Sequence, residues 1–252
     1  MQRYGILGIV IAALLVGSRS VQAAKAPATT LRFSGYVWNI RQAGTGGPGP
    51  NQWDPANVWV DSAGQLHLKI ADNGGQWTCA ELWTQKRLGF GRYQFDVIGR
   101  IDQFDPNVVL GLFNYPTPDV GPDGTNEIDI EFAQWGNSQA PNGNYTVWPA
   151  QTGLTPPSNS YTFNFTLTTS KTTQRSTRQS TQISFQSLSG FQSGNTGQYA
   201  SWVFAPSDYL QRIPQQAEPV HINLWLFQGH APTNGQEVEI IIKRFTFKPL
   251  TG

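Results

Sequence analysis

The feature that most limits the fold is a two-residue alternation of polar and apolar side chains that recurs along the chain. No stretch replaces it with a sustained 3.6-residue period. Gln65 to Ile70, Gly91 to Val97, Gln182 to Gln186 and Val238 to Phe247 all read as half-buried strands. Turn-forming clusters separate them, at Gly44–Asn51, Pro116–Gly124 and Pro156–Asn159. Thr166 to Gln182 is rich in Ser, Thr and Gln and reads either as polar strands or as a loop. Many short strands with few helices predict an all-β domain, and pattern alone leaves sandwich and barrel open.

The amino terminus predicts export. A charged start at Met1–Arg3, an apolar run from Tyr4 to Val16 and the small residues of Val21-Gln22-Ala23 form a secretory signal over residues 1–23. A short Ala/Pro/Thr linker follows over 24–30, and one domain over 31–252, a length usual for a single large β unit. The expected location is outside the cytoplasm, with no stable membrane association once the signal is removed, and the expected state is a monomer. Cys79 is the only cysteine, so no internal disulfide forms. Net charge is +1 and charged residues are 13% of the chain, which gives no electrostatic reason to bind nucleic acid. Neutral polar groups beside nine tryptophans suit a polysaccharide, whose hydroxyls hydrogen-bond and whose ring faces stack on aromatics.

The segment with chemical content is Glu127-Ile128-Asp129-Ile130-Glu131-Phe132. In a strand, Glu127, Asp129 and Glu131 share one face while Ile128, Ile130 and Phe132 enter the core. A solvated strand face also reads polar-out. Three carboxylates within five residues stand out, however, in a chain with 16 acidic residues. Like charges on one face raise at least one pKa, and a glycosidase needs one carboxyl protonated while another is ionised. Strand residues four apart have Cα atoms roughly 13 Å apart, and glutamates leaning together shorten this by about 7 Å. The result lies near the ~5–5.5 Å of retaining glycosidases rather than the ~6.5–9.5 Å of inverting ones.

Glu127-Ile128-Asp129-Ile130-Glu131 also resembles the E-x-D-x-E signature of glycoside hydrolase family 16, the lichenase, laminarinase and xyloglucanase group. Further blocks resemble that family in its order: Ala80-Glu81-Leu82-Trp83, Gly89 to Phe95, Ile222-Asn223-Leu224-Trp225 and Val238 to Phe247. Together they cover most of Trp53 to Phe247. The resemblance implies a jelly-roll β-sandwich of the concanavalin A-like glucanase type, with a concave substrate cleft. It implies Glu127 as nucleophile, Glu131 as acid and then base, and Asp129 as the residue that holds their protonation states apart. Glu81, Asn223 and Trp225 match sugar-contacting positions, and Trp83, Trp135 and Trp148 join them as substrate-binding candidates. The activity implied is a retaining endo-β-glucanase, and the uninterrupted motif favours a mixed-linkage β-1,3-1,4-glucan. No cofactor is required and no metal ligand set is identified. Family members often hold a structural calcium whose ligands this sequence does not show.

There are departures. The family histidine and tryptophan are missing around Ser176–Ser180, Thr125-Asn126 replace the tryptophan before the signature, and Trp83 replaces an arginine common two residues after the glutamate. Trp38, Trp59 and Trp202 read as core or unassigned, and His67 as solvent-facing. His221 and His230 lie near the Asn223–Trp225 block and are placed toward the cleft. Cys79 shares the parity of Glu81 and borders the cleft on that reading, as an inert thiol. Asp119 to Gly124 reads as a turn rather than a calcium loop. Competing functions are a transglycosylase, a xyloglucan- or β-1,3-glucan-active relative, and a carbohydrate-binding jelly roll without turnover.

Overall fold

A computed structural model describes residues 29–250. The signal segment and most of the linker lie outside the described residues. The linker's last residue, Thr30, instead begins the first strand, because it pairs with Asn39.

Two eight-stranded antiparallel sheets form the domain. The first, here the cleft sheet, runs in the order Thr30–Phe33, Tyr36–Ile40, Ala80–Thr84, Val220–Leu226, Val108–Asn114, Ile128–Phe132, Gly143–Val147, Asn159–Phe163. The back sheet runs Gln198–Phe204, Ile183–Ser189, Lys171–Arg178, Gly91–Ile98, Val238–Pro249, Leu66–Asp72, Val58–Val60, with Trp77–Thr78 paired to Leu66–Asp72. This is the jelly-roll sandwich. All four strands expected from alternation are present, each within a few residues of its expected ends. Gly44–Gly46 and Asn51–Trp53 pair as a small ribbon, so the first expected turn cluster holds a short hairpin. Among the described residues, helix is confined to one four-residue turn, Tyr209–Arg212, and two 3-10 segments.

Alternate side chains of the two sheets meet in one core. Ile128, Ile130 and Phe132 of the cleft sheet are buried with Leu110, Leu112, Ile222 and Leu224 from the strands beside them. Facing them are Leu66, Leu68, Ile70, Tyr93, Phe95, Val97 and Ile242 of the back sheet. Aromatic pairs tie the layers, Trp38 meeting Phe245 edge-on at 5.6 Å and Tyr145 stacking on Phe185 at 4.9 Å. Trp38 is therefore core, Trp202 packs partly buried against it, and Trp59 is exposed at the sheet edge.

The polar stretch is a strand, Lys171–Arg178, and most of it is buried. It lies inside the back sheet between Gly91–Ile98 and Ile183–Ser189, so its backbone is paired on both edges. Most of its polar side chains are satisfied locally, although Thr172 Oγ1 and Gln174 Oε1 are buried without a partner. Gln174 Nε2 donates to Tyr199 Oη at 3.0 Å, Arg175 Nε to Gln94 Oε1 at 2.8 Å and Arg175 Nη1 to Gly194 O at 2.6 Å. Arg178, fully buried, pairs with buried Glu218 at 2.8 Å and donates to the carbonyls of Pro214 and Gln216. The segment where the family residues are missing thus pins the chain leading into the cleft strand Val220–Leu226. Replacing Arg178 with Met strands the Glu218 carboxylate, and the expected loss is about 3–5 kcal/mol in urea unfolding.

His67 is not solvent-facing. Trp59, its partner on the next strand, stacks over the ring at 4.8 Å. Asp61 and Glu239 hold its two nitrogens at 3.2 and 2.6 Å, and the residue is buried.

Candidate active site

The outward face of the cleft sheet carries two rows of register partners. One reads Glu81, Asn223, Gly111, Glu131, Asn144; the next reads Trp83, His221, Phe113, Asp129, Thr146. Glu127 immediately precedes the strand Ile128–Phe132, and its carbonyl accepts from the Trp148 backbone N–H at 2.8 Å. Strand parity therefore delivers all three carboxylates to one face. Over this face lies a cavity of about 440 Å³ lined by Glu127, Asp129, Glu131, Glu81, Asn223 and Trp225. Arg41, Gly47, Pro48, Phe113, Tyr115, Asp123 and His221 complete its wall.

The three carboxyls are all raised. Burial, then the charge of Glu131, pushes Glu127 above the usual carboxylate range. Asp129 is raised by burial and by both glutamates, and Glu131 by burial. A hydrogen bond between Glu127 and Asp129 favours the ionised form of Glu127 and the protonated form of Asp129. Trp148 Nε1 donates to Asp129 Oδ2 at 3.1 Å and fixes that carboxyl. Asn144 Nδ2 donates to Glu131 at 3.3 Å.

Gly111 is a requirement of the floor. A Cβ there would lie 2.4 Å from Asn223 Oδ1 and 3.3 Å from Phe113. The bare backbone lets Asn223 lie across the strand, and Asn223 Oδ1 is buried without a hydrogen-bond partner. That acceptor suits a sugar hydroxyl. Gly111→Ala is expected to lower kcat/KM about tenfold to hundredfold by displacing Asn223, with a circular dichroism spectrum like that of the parent.

The remaining candidates divide. Trp148 reaches the site through Asp129. Trp83 stands behind His221, stacked on it at 5.6 Å, and Trp135 packs against Trp225 and Phe227 at 6.3 and 5.8 Å. These three support the wall and do not line the cavity. Cys79 is in the core rather than at the cleft border. Its thiol, pushed up to about 12 by burial, donates to Asn51 Oδ1 at 3.2 Å. His221 does reach the cavity and His230 does not.

Arg41, Tyr115, Asp123 and Phe113 went unread in the sequence. Arg41 Nη1 lies 2.5 Å from Glu81 Oε2, and His221 Nδ1 lies 3.1 Å from Glu81 Oε1. Both oxygens of Glu81 are engaged and its carboxyl is held below the usual range, these partners outweighing burial. With Trp83 in place of the arginine, the guanidinium beside Glu81 is that of Arg41, which follows the strand Tyr36–Ile40. Asp123, in the segment read as a turn, accepts from Tyr115 Oη at 2.6 Å beside Glu127. Among the described residues, no group of three or more His, Cys, Asp or Glu side chains is arranged to hold a metal ion.

The fold is like that of the glycoside hydrolase family 16 β-glucanase sandwiches. The solved structures it is similar to include a Bacillus licheniformis β-glucanase, at 17% identity and TM-score 0.62, covering 88% of this chain and 99% of that one. A second is an immunostimulatory antigen and pseudo β-1,3-glucanase of Mycobacterium tuberculosis, at 18%, TM-score 0.61, covering 84% and 91%. A third is a family 16 endo-glucanase from Bacteroides ovatus, at 12%, TM-score 0.60, covering 84% and 94%. At these identities the likeness is one of fold. No protein-family model and no curated protein matches the sequence.

Proposed function

We propose that the protein is a secreted, monomeric, retaining endo-β-glucanase acting on a mixed-linkage β-1,3-1,4-glucan. The observation that carries this reading is the set of three carboxyls on one strand face, open to one cavity, where burial raises all three. A binding site gains nothing from crowding buried acids; an acid–nucleophile pair requires it.

In the proposed reaction a Glu127 oxygen attacks the anomeric carbon and forms the glycosyl ester. The bond to the leaving sugar breaks as Glu131 gives its proton to that oxygen. Water then attacks the same carbon, Glu131 takes a proton from it, and the bond to Glu127 breaks. One water is consumed and configuration is retained. Asp129 keeps its proton throughout, stabilising the ionised nucleophile. The chemistry uses carboxyls alone and calls on no cofactor. Asn223, Trp225 and Arg41-bound Glu81 form the floor for the sugar chain.

The test is reducing-sugar release from barley β-glucan, laminarin, xyloglucan and agarose, with the anomer first formed followed by proton NMR. A β product from barley β-glucan supports the reading. An α product overturns retention, release from another polymer corrects the substrate, and chains longer than the substrate identify a transglycosylase. Binding without release identifies the lectin-like alternative.

A further inference from the structure

The cleft floor ends abruptly on one side. Glu131, Gly111, Asn223 and Glu81 lie across four adjacent strands, at ~4.8 Å per strand. Arg41, at the end of Tyr36–Ile40, donates its backbone N–H to Glu81 O at 2.9 Å and so takes the next place in the row. On the other side of Glu131 the row continues over Asn144 and Thr162. At Arg41 it meets a wall of Arg41, Gly47 and Pro48, which lines the cavity.

That wall is built firmly. The Arg41 guanidinium lies 2.5 Å from Glu81 Oε2 and 2.8 Å from Gly47 O, with its plane over the Trp53 ring at 4.1 Å. A Cβ at Gly46 would fall 2.7 Å from Arg41 Nη2, so only glycine admits the guanidinium there. Asn51 Nδ2 donates to Pro48 O at 2.7 Å and to Leu226 O at 2.9 Å, tying the turn to the central cleft strand. Gly49 rests against the Gln228 backbone, and Gly229 against Pro50.

We infer that the Arg41-anchored turn Gly46–Pro50 is a stop that closes one arm of the cleft. Arg41 is then a positioning residue that sets how many sugar residues this arm holds. The inference rests on the glucanase reading and adds a chain-length limit to it. To cut inside a polymer the enzyme must let the chain turn out of the cleft at the stop, so extending a short oligosaccharide past that point adds no contact.

Arg41→Lys keeps a cation for Glu81 but cannot span Glu81 and Gly47 O with one planar fork, and Pro48→Gly lowers the wall without touching Arg41. The measurement is kcat/KM over a ladder of β-glucan oligosaccharides of increasing length for the parent and both variants. Calorimetric Kd for the same ladder is read in their Glu127→Gln forms, after thermal unfolding confirms that each is folded. The parent is expected to plateau at a short length, whereas each variant gains a further increment of about threefold to tenfold from the next sugar, the yield of one additional net hydrogen bond. A merely structural role would lower every length alike, and that result overturns the inference. So does a parent that keeps gaining with length. If kcat/KM is nil while binding persists, the glucanase reading fails and the Kd plateau alone decides on the stop. Absence of binding at every length overturns both.

Discussion

With Glu127 replaced by Gln, kcat on a β-glucan is expected to fall by about four to six orders of magnitude, the scale on which loss of a covalent nucleophile acts. A carboxamide forms no glycosyl ester, and the Asp129 proton loses the carboxylate that now receives its hydrogen bond. Fold and binding should survive, because Glu127 faces the cavity while Ile128 beside it carries the core contact. Initial rates on the preferred polymer check the loss. Glu127→Ala with added azide checks the role. Azide should form a carbon–nitrogen bond at the anomeric carbon, giving an α-glycosyl azide while Glu131 protonates the departing sugar. Activity within tenfold of the parent would place the nucleophile elsewhere.

Glu131→Gln separates the two halves of the reaction. On a polysaccharide the leaving oxygen needs a proton, and the expected loss is about two to four orders of magnitude. On an aryl glycoside with an acidic phenol the first bond breaks without help, so the burst of phenol remains while turnover stalls at the glycosyl-enzyme for want of a base. On the proposed roles, activity of the parent is expected to fall at high pH as Glu131 loses its proton and at low pH as Glu127 gains one. The variant should lose the alkaline limb. Stability follows the same groups. Glu127, Asp129 and Glu131 are raised in the folded chain, and burial raises Glu218 to about 7. The folded state therefore holds more protons than the unfolded one above the ordinary carboxylate range, so stability falls as pH rises from there through about 8. Thermal unfolding at about pH 5 should exceed that at about pH 8, by less in Glu131→Gln.

The acidic strand was legible because strand parity is local: Glu127, Asp129 and Glu131 sort from Ile128, Ile130 and Phe132 without knowledge of any neighbour. Asn223 and Trp225 were legible through the resemblance of Ile222-Asn223-Leu224-Trp225 to a family block, and His221 shares their parity. Register between distant strands is not local. Nothing near Arg41 marks it as the partner of Glu81, and nothing near Gly111 shows that Asn223 will lie across it. Asp123 reads as a turn residue, and only the closure of its loop toward Tyr115 brings it to the cavity. The reverse error came from counting tryptophans by proximity in sequence. Trp135 is turned toward Trp225 and Phe227. The polar strand Lys171–Arg178 resisted reading because its burial depends on partners elsewhere, Glu218, Gln94 and Tyr199 among them.

The order of strands in the cleft sheet also constrains how the enzyme comes into being. Val108–Asn114 lies between the acidic strand and Val220–Leu226, so one of its edges has no neighbour until nearly the whole chain has been synthesised. The early strands then wait as an unfinished template, open to wrong pairing, and the site is assembled by long-range closure rather than grown from one end.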